Sequence, residues 1–203
     1  MPDSLGENLM SETSASLLAR LHDRADGGAW QRLVHVYTPL LAGWLRRYDL
    51  QPADADDLVQ EVLTVVVREL PQFHHNQRQG AFRHWLRTIL VNRVREFWRS
   101  QRYRPVATSK SDVAQMLDQL EDPDSGLSRL WDQEHDRHVV QRLLQLIEPQ
   151  FAPATWQAFH GLVLEGKRAD AVAAELGLSV NAVFIAKSRV LQRLRQEGQG
   201  LLD

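Results

Sequence analysis

Apolar positions recur along most of the chain at three- and four-residue spacing, and alternating runs bounded by turn residues are missing. That periodicity predicts an all-α protein. The first helical stretch covers about Ser16 to Arg24. Asp26-Gly27-Gly28 interrupts it, and a second helix begins near Ala29 and continues to about Tyr48, with a bend expected at Pro39. Gln51-Pro52-Ala53 opens a third helix over about Asp54 to Leu70, which Pro71 ends. A fourth covers about Ala81 to Gln101. From Tyr103 to Gly126 the pattern fails, with Arg104-Pro105, Thr108-Ser109-Lys110-Ser111 and Asp122-Pro123-Asp124-Ser125-Gly126 supplying turn and linker chemistry around one short helix near 113–120. Helical spacing resumes over Leu127–Ile147. Pro149 and Pro153 punctuate it, and helices near 154–165, 169–176 and 180–196 follow. The expectation is two small helical domains, 11–103 and 127–198, joined by a flexible linker at 104–126. No repeat suggests a solenoid.

The sequence has 203 residues, 43% hydrophobic and 25% charged, enough for a core in each of two small domains and too few for a large multidomain enzyme. With no cysteine, disulfides, thiolate metal sites and cysteine nucleophiles drop out. No run approaches a membrane span and the start, at Met1 or Met10, lacks a signal-like pattern, so the expected localisation is cytoplasmic without membrane insertion. The net charge of -2 hides a strong asymmetry. Arg78, Arg83, Arg87, Arg93, Arg95, Arg99, Arg102 and Arg104 face only one acid, Glu96, within their segment. Then Asp112, Asp118, Glu121, Asp122, Asp124, Asp132, Glu134 and Asp136 outnumber Lys110, Arg129 and Arg137, before a basic C-terminal stretch. Such blocks read as separate working surfaces.

Three constellations carry the functional expectation. In the fourth helix, Phe82, Trp85, Leu86, Ile89, Leu90, Val94, Phe97 and Trp98 form an apolar stripe, while Arg83, Arg87, Arg95 and Arg99 recur at multiples of four. Arg83 to Arg99 spans ~24 Å along a helix, a length matched to several phosphates. A solvated face would normally mix Glu with Arg, so an anionic partner is the better account of a row with one acid. The aromatics could stack on unpaired bases or simply fill the core. In the third helix Leu58, Val62, Val65, Val66 and Leu70 form the buried side and Asp57, Glu61, Thr64 and Arg68 an exposed row. Near the C-terminus, Ala169 to Leu176, Gly177, then Ser179 as an N-cap and a second helix give helix-turn-helix spacing. Ala173 is small where the helices meet, and Asn181, Phe184, Ile185, Ser188 and Gln192 face outward. An ordinary helical hairpin is the competing reading. No phosphate loop, HExxH or Gly-x-Ser-x-Gly occurs, and His74-His75 and the His135/His138 pair lack a third ligand and read as exposed histidines. No catalytic residue, metal or cofactor is assigned.

Taken in order, these segments resemble the sigma-70 family of bacterial RNA polymerase sigma factors, in particular its small extracytoplasmic-function group. Asp54 to Leu63 is similar to region 2.2, Ala81 to Asn92 continuing to Arg104-Pro105 to regions 2.3 and 2.4, and Leu127 to Arg195 to region 4. The resemblance implies a non-enzymatic subunit that binds core RNA polymerase and directs promoter-specific transcription initiation. Asp56, Asp57, Gln60 and Glu61 would meet the polymerase β′ clamp helices, with the β flap as a further contact. Phe73, Arg83, Trp85, Arg87, Asn92, Arg95 and Arg99 would engage and melt the -10 element, Phe73, Trp85 and Asn92 lying near a pocket for a flipped base. Arg168, Ser179, Asn181, Phe184, Ile185, Lys187, Ser188, Arg189 and Arg193 would meet the -35 element. Phe184-Ile185-Ala186 stands where the family often has a basic residue followed by Ser and Arg, which favours apolar contact with thymine methyls there. An anti-sigma protein would be a natural regulator. The rival functions are a stand-alone helix-turn-helix regulator, which would bind duplex DNA without polymerase, and a protein-only helical adaptor, whose binding would be insensitive to salt.

Overall fold

The computed structural model describes residues 16–23, 25–48, 50–73, 80–100 and 110–202. Among them every regular element is helical, and none is a strand. The helices are α1 (Leu17–Arg20), α2 (Gly27–Leu45), α3 (Pro52–Glu69), α4 (Ala81–Ser100), α5 (Lys110–Glu121), α6 (Gly126–Ile147), α7 (Pro153–Phe159), α8 (Ala169–Leu176) and α9 (Val180–Gly198). Expected features at 11–15, His74-His75, Arg78, Arg102, Arg104 and the start of the expected linker lie outside the described residues.

Local chemistry sets the ends. Ser16 Oγ accepts from Ala19 N at 3.1 Å and caps α1. Asp26 Oδ1 accepts from Ala29 N at 2.9 Å, so the two glycines expected to break the chain are drawn into the first turn of α2 instead. Arg20 binds the same carboxylate from Nε at 2.8 Å and holds Asp26 below the usual carboxylate range. Helix α2 continues through Pro39. Pro52 opens α3 in the first turn, where its missing N–H costs nothing.

Contacts divide the chain inside α6, between Val139 and Val140, not across 104–126. The larger unit holds residues 16–139 together with 199–203, and its core is built by Leu33, Val36, Tyr37, Leu41 and Trp44 of α2, Leu58, Val62 and Val66 of α3, and Phe82, Leu86, Leu90 and Val94 of α4. Much of the interval expected as a tether is part of this unit. Val113, Leu117 and Leu120 recur at helical spacing, are buried along α5, and bring that helix against α4. Trp131, His135 and Val139 of α6 are fully buried in the same unit. The loop-like residues on both sides of α5 concealed a stripe long enough to dock. At the chain's end Leu201 is also buried, and Gly200, at φ +82°, leaves room for Leu18, whose Cδ2 would lie 2.6 Å from a Cβ there.

The smaller unit, Val140–Gly198, packs Ala158, Val172, Ala173, Val183 and Ala186 into one cluster and Ile147, Phe159 and Val190 into another. The helix expected over 154–165 turns π-helical at His160–Leu164. Gly161 faces Val172 in that turn, where a Cβ would lie 3.2 Å from Val172 Cγ2.

Candidate nucleic-acid interface

Two hollows flank α3 in the larger unit. The first is a groove of about 720 Å³ in which Asp57, Gln60, Glu61, Thr64 and Arg68 of α3 face Arg93, Glu96, Phe97 and Ser100 of α4. The buried stripe of α3 turns its acids outward, and α4 supplies the opposite wall. Arg93 and Glu96 pair with each other at 2.8 Å, so the acids of α3 remain open to a basic partner. Asp56 is exposed on the same helix but does not line the groove.

The second hollow, about 530 Å³, lies among Arg68, Glu69, Gln72, Phe73 and Trp85. Its floor is aromatic. The Phe73 and Trp85 rings are 4.8 Å apart between centroids, and both rest on Phe82, which is buried. A flat, half-buried aromatic pair with an Arg and a Gln at its rim suits stacking plus hydrogen bonding. Asn92, expected beside this pair, is exposed about two turns along α4 and does not line the hollow.

The arginine row of α4 is not the unpaired face its own segment suggested. Arg83 bonds both Asp136 oxygens, at 3.2 and 3.1 Å, and reaches Asp132 at 3.4 Å. Arg87 is 3% exposed; it donates to Ser128 Oγ, lies 2.8 Å from His84 Nδ1 and 3.6 Å from Asp132. Burial lowers the pKa of both Arg87 and His84. Arg95 contacts Asp118 at 2.7 Å and Glu121 at 2.8 Å, and the Glu121 bond raises its already high pKa further. Val91, the gap in the four-residue series, is fully buried. Arg99 alone of the four is exposed, with no ion-pair partner among the described residues. The acids lie 23 to 53 residues further along the chain, on α5 and α6. Reading Glu96 as the row's only acid is thereby corrected, because charge pairing followed tertiary rather than local spacing. The participants missed by that reading, Asp118, Glu121, Ser128, Asp132 and Asp136, fall in or beside the acidic block whose abrupt change of sign was the signal.

His135 also departs from expectation. It is fully buried rather than exposed, with Nε2 3.2 Å from Tyr37 Oη and Nδ1 3.0 Å from Asp136 Oδ1, and burial lowers its pKa. His138 Nε2 contacts Val36 O at 2.7 Å.

In the smaller unit the helix-turn-helix has its expected geometry. Gly177 takes φ +64°, Leu178 N donates to Ala173 O at 2.9 Å, and Ser179 Oγ accepts from Ala182 N at 3.1 Å. Helices α8 and α9 meet at 101°. Val172 and Val183 are buried, while Asn181, Phe184, Ile185, Ser188, Arg189 and Gln192 are exposed. Lys187 is half-buried. Arg168 is exposed and bonded to Asp170 at 2.8 Å. Arg193 is mostly covered, pairing with Glu197 at 2.8 Å and with Gln150 at 2.8 Å, which ties the end of α9 to the turn after α6.

A helical chain with an acid-edged groove, an aromatic hollow and a helix-turn-helix has the architecture of a DNA-binding transcription protein. Residues 33–104 match the sigma-70 region 2 family. Among curated proteins the chain is similar to RNA polymerase sigma factor CarQ of Myxococcus xanthus, 28% identical over 179 residues that cover 88% of this chain and 94% of that one. It is 27% identical to an RNA polymerase sigma-E factor of Streptomyces avermitilis over 156 residues, 75% of each chain, and 26% identical to that of Streptomyces coelicolor over 75% and 76%. The chain therefore carries a sigma-70 region 2 segment and is similar, over most of its length, to proteins named RNA polymerase sigma factors.

Proposed function

We propose that this chain is a promoter-specificity subunit that joins core RNA polymerase and directs transcription initiation through -10 and -35 elements. Its relatives are named RNA polymerase sigma factors, and members of the family are regulatory subunits rather than enzymes. The observation that carries the reading is the close aromatic pair Phe73–Trp85 in a hollow on the same helical unit as the acid row of α3. Asp56, Asp57, Gln60 and Glu61 would take the β′ clamp helices. The hollow would hold an extruded -10 base, stacking offsetting an unstacking cost of a few kcal/mol. In the smaller unit Asn181, Phe184, Ile185 and Ser188 would read the -35 major groove, with Arg168, Lys187 and Arg189 on phosphates and the β flap against the unit that carries them. Arg193, held by Glu197 and Gln150, would support α9 more than contact DNA. Work on chromosomal promoters implies a cytoplasmic site of action, and among the described residues no single helix is long and apolar enough to cross a membrane. An anti-sigma protein would regulate such a subunit by covering the groove or the hollow.

A stand-alone regulator accounts for the helix-turn-helix but leaves the outward acids of α3 without purpose. Reconstitution with core polymerase and run-off transcription tests the choice. Asp57→Arg and Glu61→Arg place repulsive charge on the open side of the groove and are expected to weaken holoenzyme formation by an order of magnitude or more, with circular dichroism unchanged. Holoenzyme formation at wild-type strength in both variants would remove the docking assignment.

A further inference from the structure

We propose that the acidic face of α5 and α6 is an intramolecular clasp that masks the arginine row of α4, so that the isolated chain is closed to single-stranded DNA and must release this segment before that row can take phosphates. The inference rests on the promoter-subunit reading for the identity of the masked surface. Three of the row's four arginines are occupied by acids of the same chain: Arg83 by Asp132 and Asp136, Arg87 by Asp132 with the Ser128 hydroxyl beside it, and Arg95 by Asp118 and Glu121. A carboxylate pair spaced along a helix presents to a guanidinium the same chemistry as consecutive phosphates. While Arg87 is buried beneath α6 it cannot meet a DNA backbone.

The contact is built to come apart more readily than the helical core beneath it. Its seam mixes polar contacts, with Arg47–Glu134 at 2.8 Å at one edge and His135 beside Tyr37 in the middle, with a narrow apolar stripe of Val113, Leu117 and Leu120 on α5 and Trp131 and Val139 on α6. Paired charges removed from water contribute far less than apolar packing of the same area, and interfaces that open resemble this one in polarity. The main apolar anchor is Trp131, whose ring stands edge-on to Trp44 at 5.1 Å between centroids. Even that anchor is imperfect, since Trp44 Nε1 is buried without a hydrogen-bond partner among the described residues. An unsatisfied buried donor lowers the stability of the closed arrangement relative to one in which water can reach it.

The test compares two clasp pairs, Asp132→Asn/Asp136→Asn and Asp118→Asn/Glu121→Gln, with a control of equal charge change on exposed acids outside the clasp, Asp124→Asn/Glu148→Gln. Affinity of the full chain for a fluorescein-labelled single-stranded oligonucleotide of mixed sequence is read by anisotropy across a salt series, and amide exchange is followed over residues 112–138. Each clasp pair is expected to speed exchange in that segment, bind the oligonucleotide about tenfold more tightly than wild type, and show a steeper salt dependence as freed arginines displace counterions. The control pair should stay within about twofold of wild type, the shift that general charge alone produces. Clasp pairs that bind no better than the control, or that leave exchange over 112–138 unchanged, would overturn the proposal. Adding core polymerase separates the two readings: if wild type and variants all fail to associate with it, the promoter-subunit reading fails, while the oligonucleotide comparison still decides the clasp.

Discussion

Along α4 the guanidiniums of Arg83, Arg87 and Arg95 are bonded to acids of their own chain, whereas along α9 Asn181, Phe184, Ile185, Ser188 and Arg189 are exposed. Both helices carry residues suited to DNA, yet one is covered and the other bare. The difference lies in where each helix finds its partners. Helix α9 is positioned by a glycine, a serine cap and a small alanine within about a dozen residues, so its outward row follows from local sequence. Helix α4 is covered by elements up to 53 residues further along the chain, and its exposed chemistry depends on whether they stay docked.

The strongest way to break this contrast is to remove the anchor of the distant partner. Trp131 is fully buried against Trp44, and truncating a core tryptophan to alanine costs about 3–5 kcal/mol. Trp131→Ala is expected to raise amide exchange over 112–138 strongly and to lower the first thermal transition of the chain, with exchange over 169–198 unchanged. Equal loss of protection in both units would show that α9 depends on the same distant contacts and would erase the contrast.

The reciprocal change attacks the local device. Gly177 stands at φ +64°, a conformation that costs a side-chain-bearing residue roughly 1–2 kcal/mol, most severely when it is β-branched. Gly177→Val should lower the stability of the smaller unit by about that amount and weaken -35 binding, since the 101° turn between α8 and α9 is built on this residue. Exchange over 112–138 should not move. A melting profile identical to wild type would mean that the turn is set by packing around Ala173 and Val183 rather than by the glycine.

The same contrast explains what was legible in the sequence. The all-helical class, the acid row of α3 and the helix-turn-helix all rest on periodicity and caps, which are readable over a window of one or two helices. Trp85 lay on a readable stripe, although its 4.8 Å approach to Phe73 depends on the chain returning after α3. The boundary within 104–126 and the bare arginine row did not appear as read, for one shared reason. Proline, aspartate and glycine around α5 looked like linker chemistry, and the Val113, Leu117 and Leu120 stripe between them was too short to reveal that it docks on α4. Once it docks, the acid block becomes the counter-surface to the basic block. The change of sign at Pro105 was visible in the sequence, but the pairing of the two blocks was not.

The finest adjustment of the contrast comes from pH, because α6 carries a buried titratable group and the α8–α9 turn is built without one. His135 sits among Tyr37 of α2, Arg83 of α4, and Asp132 and Asp136 of its own helix. Burial outweighs the attraction of Asp136 and lowers its pKa below the ordinary histidine value of 6.5. The folded state therefore holds the ring neutral more strongly than the unfolded state does. Its contribution is fully present above about pH 6.5 and is lost as pH falls through that value toward the lower folded pKa. Exchange over 127–139 should accelerate between pH 7.5 and pH 5, after correction for intrinsic rates, while exchange over 169–183 follows the intrinsic rates alone. His135→Gln should flatten the dependence without abolishing docking, since Gln can still bond Tyr37 Oη. A wild-type profile as flat as the variant's would show that His135 keeps its neutral form no more strongly in the folded chain than in the unfolded one.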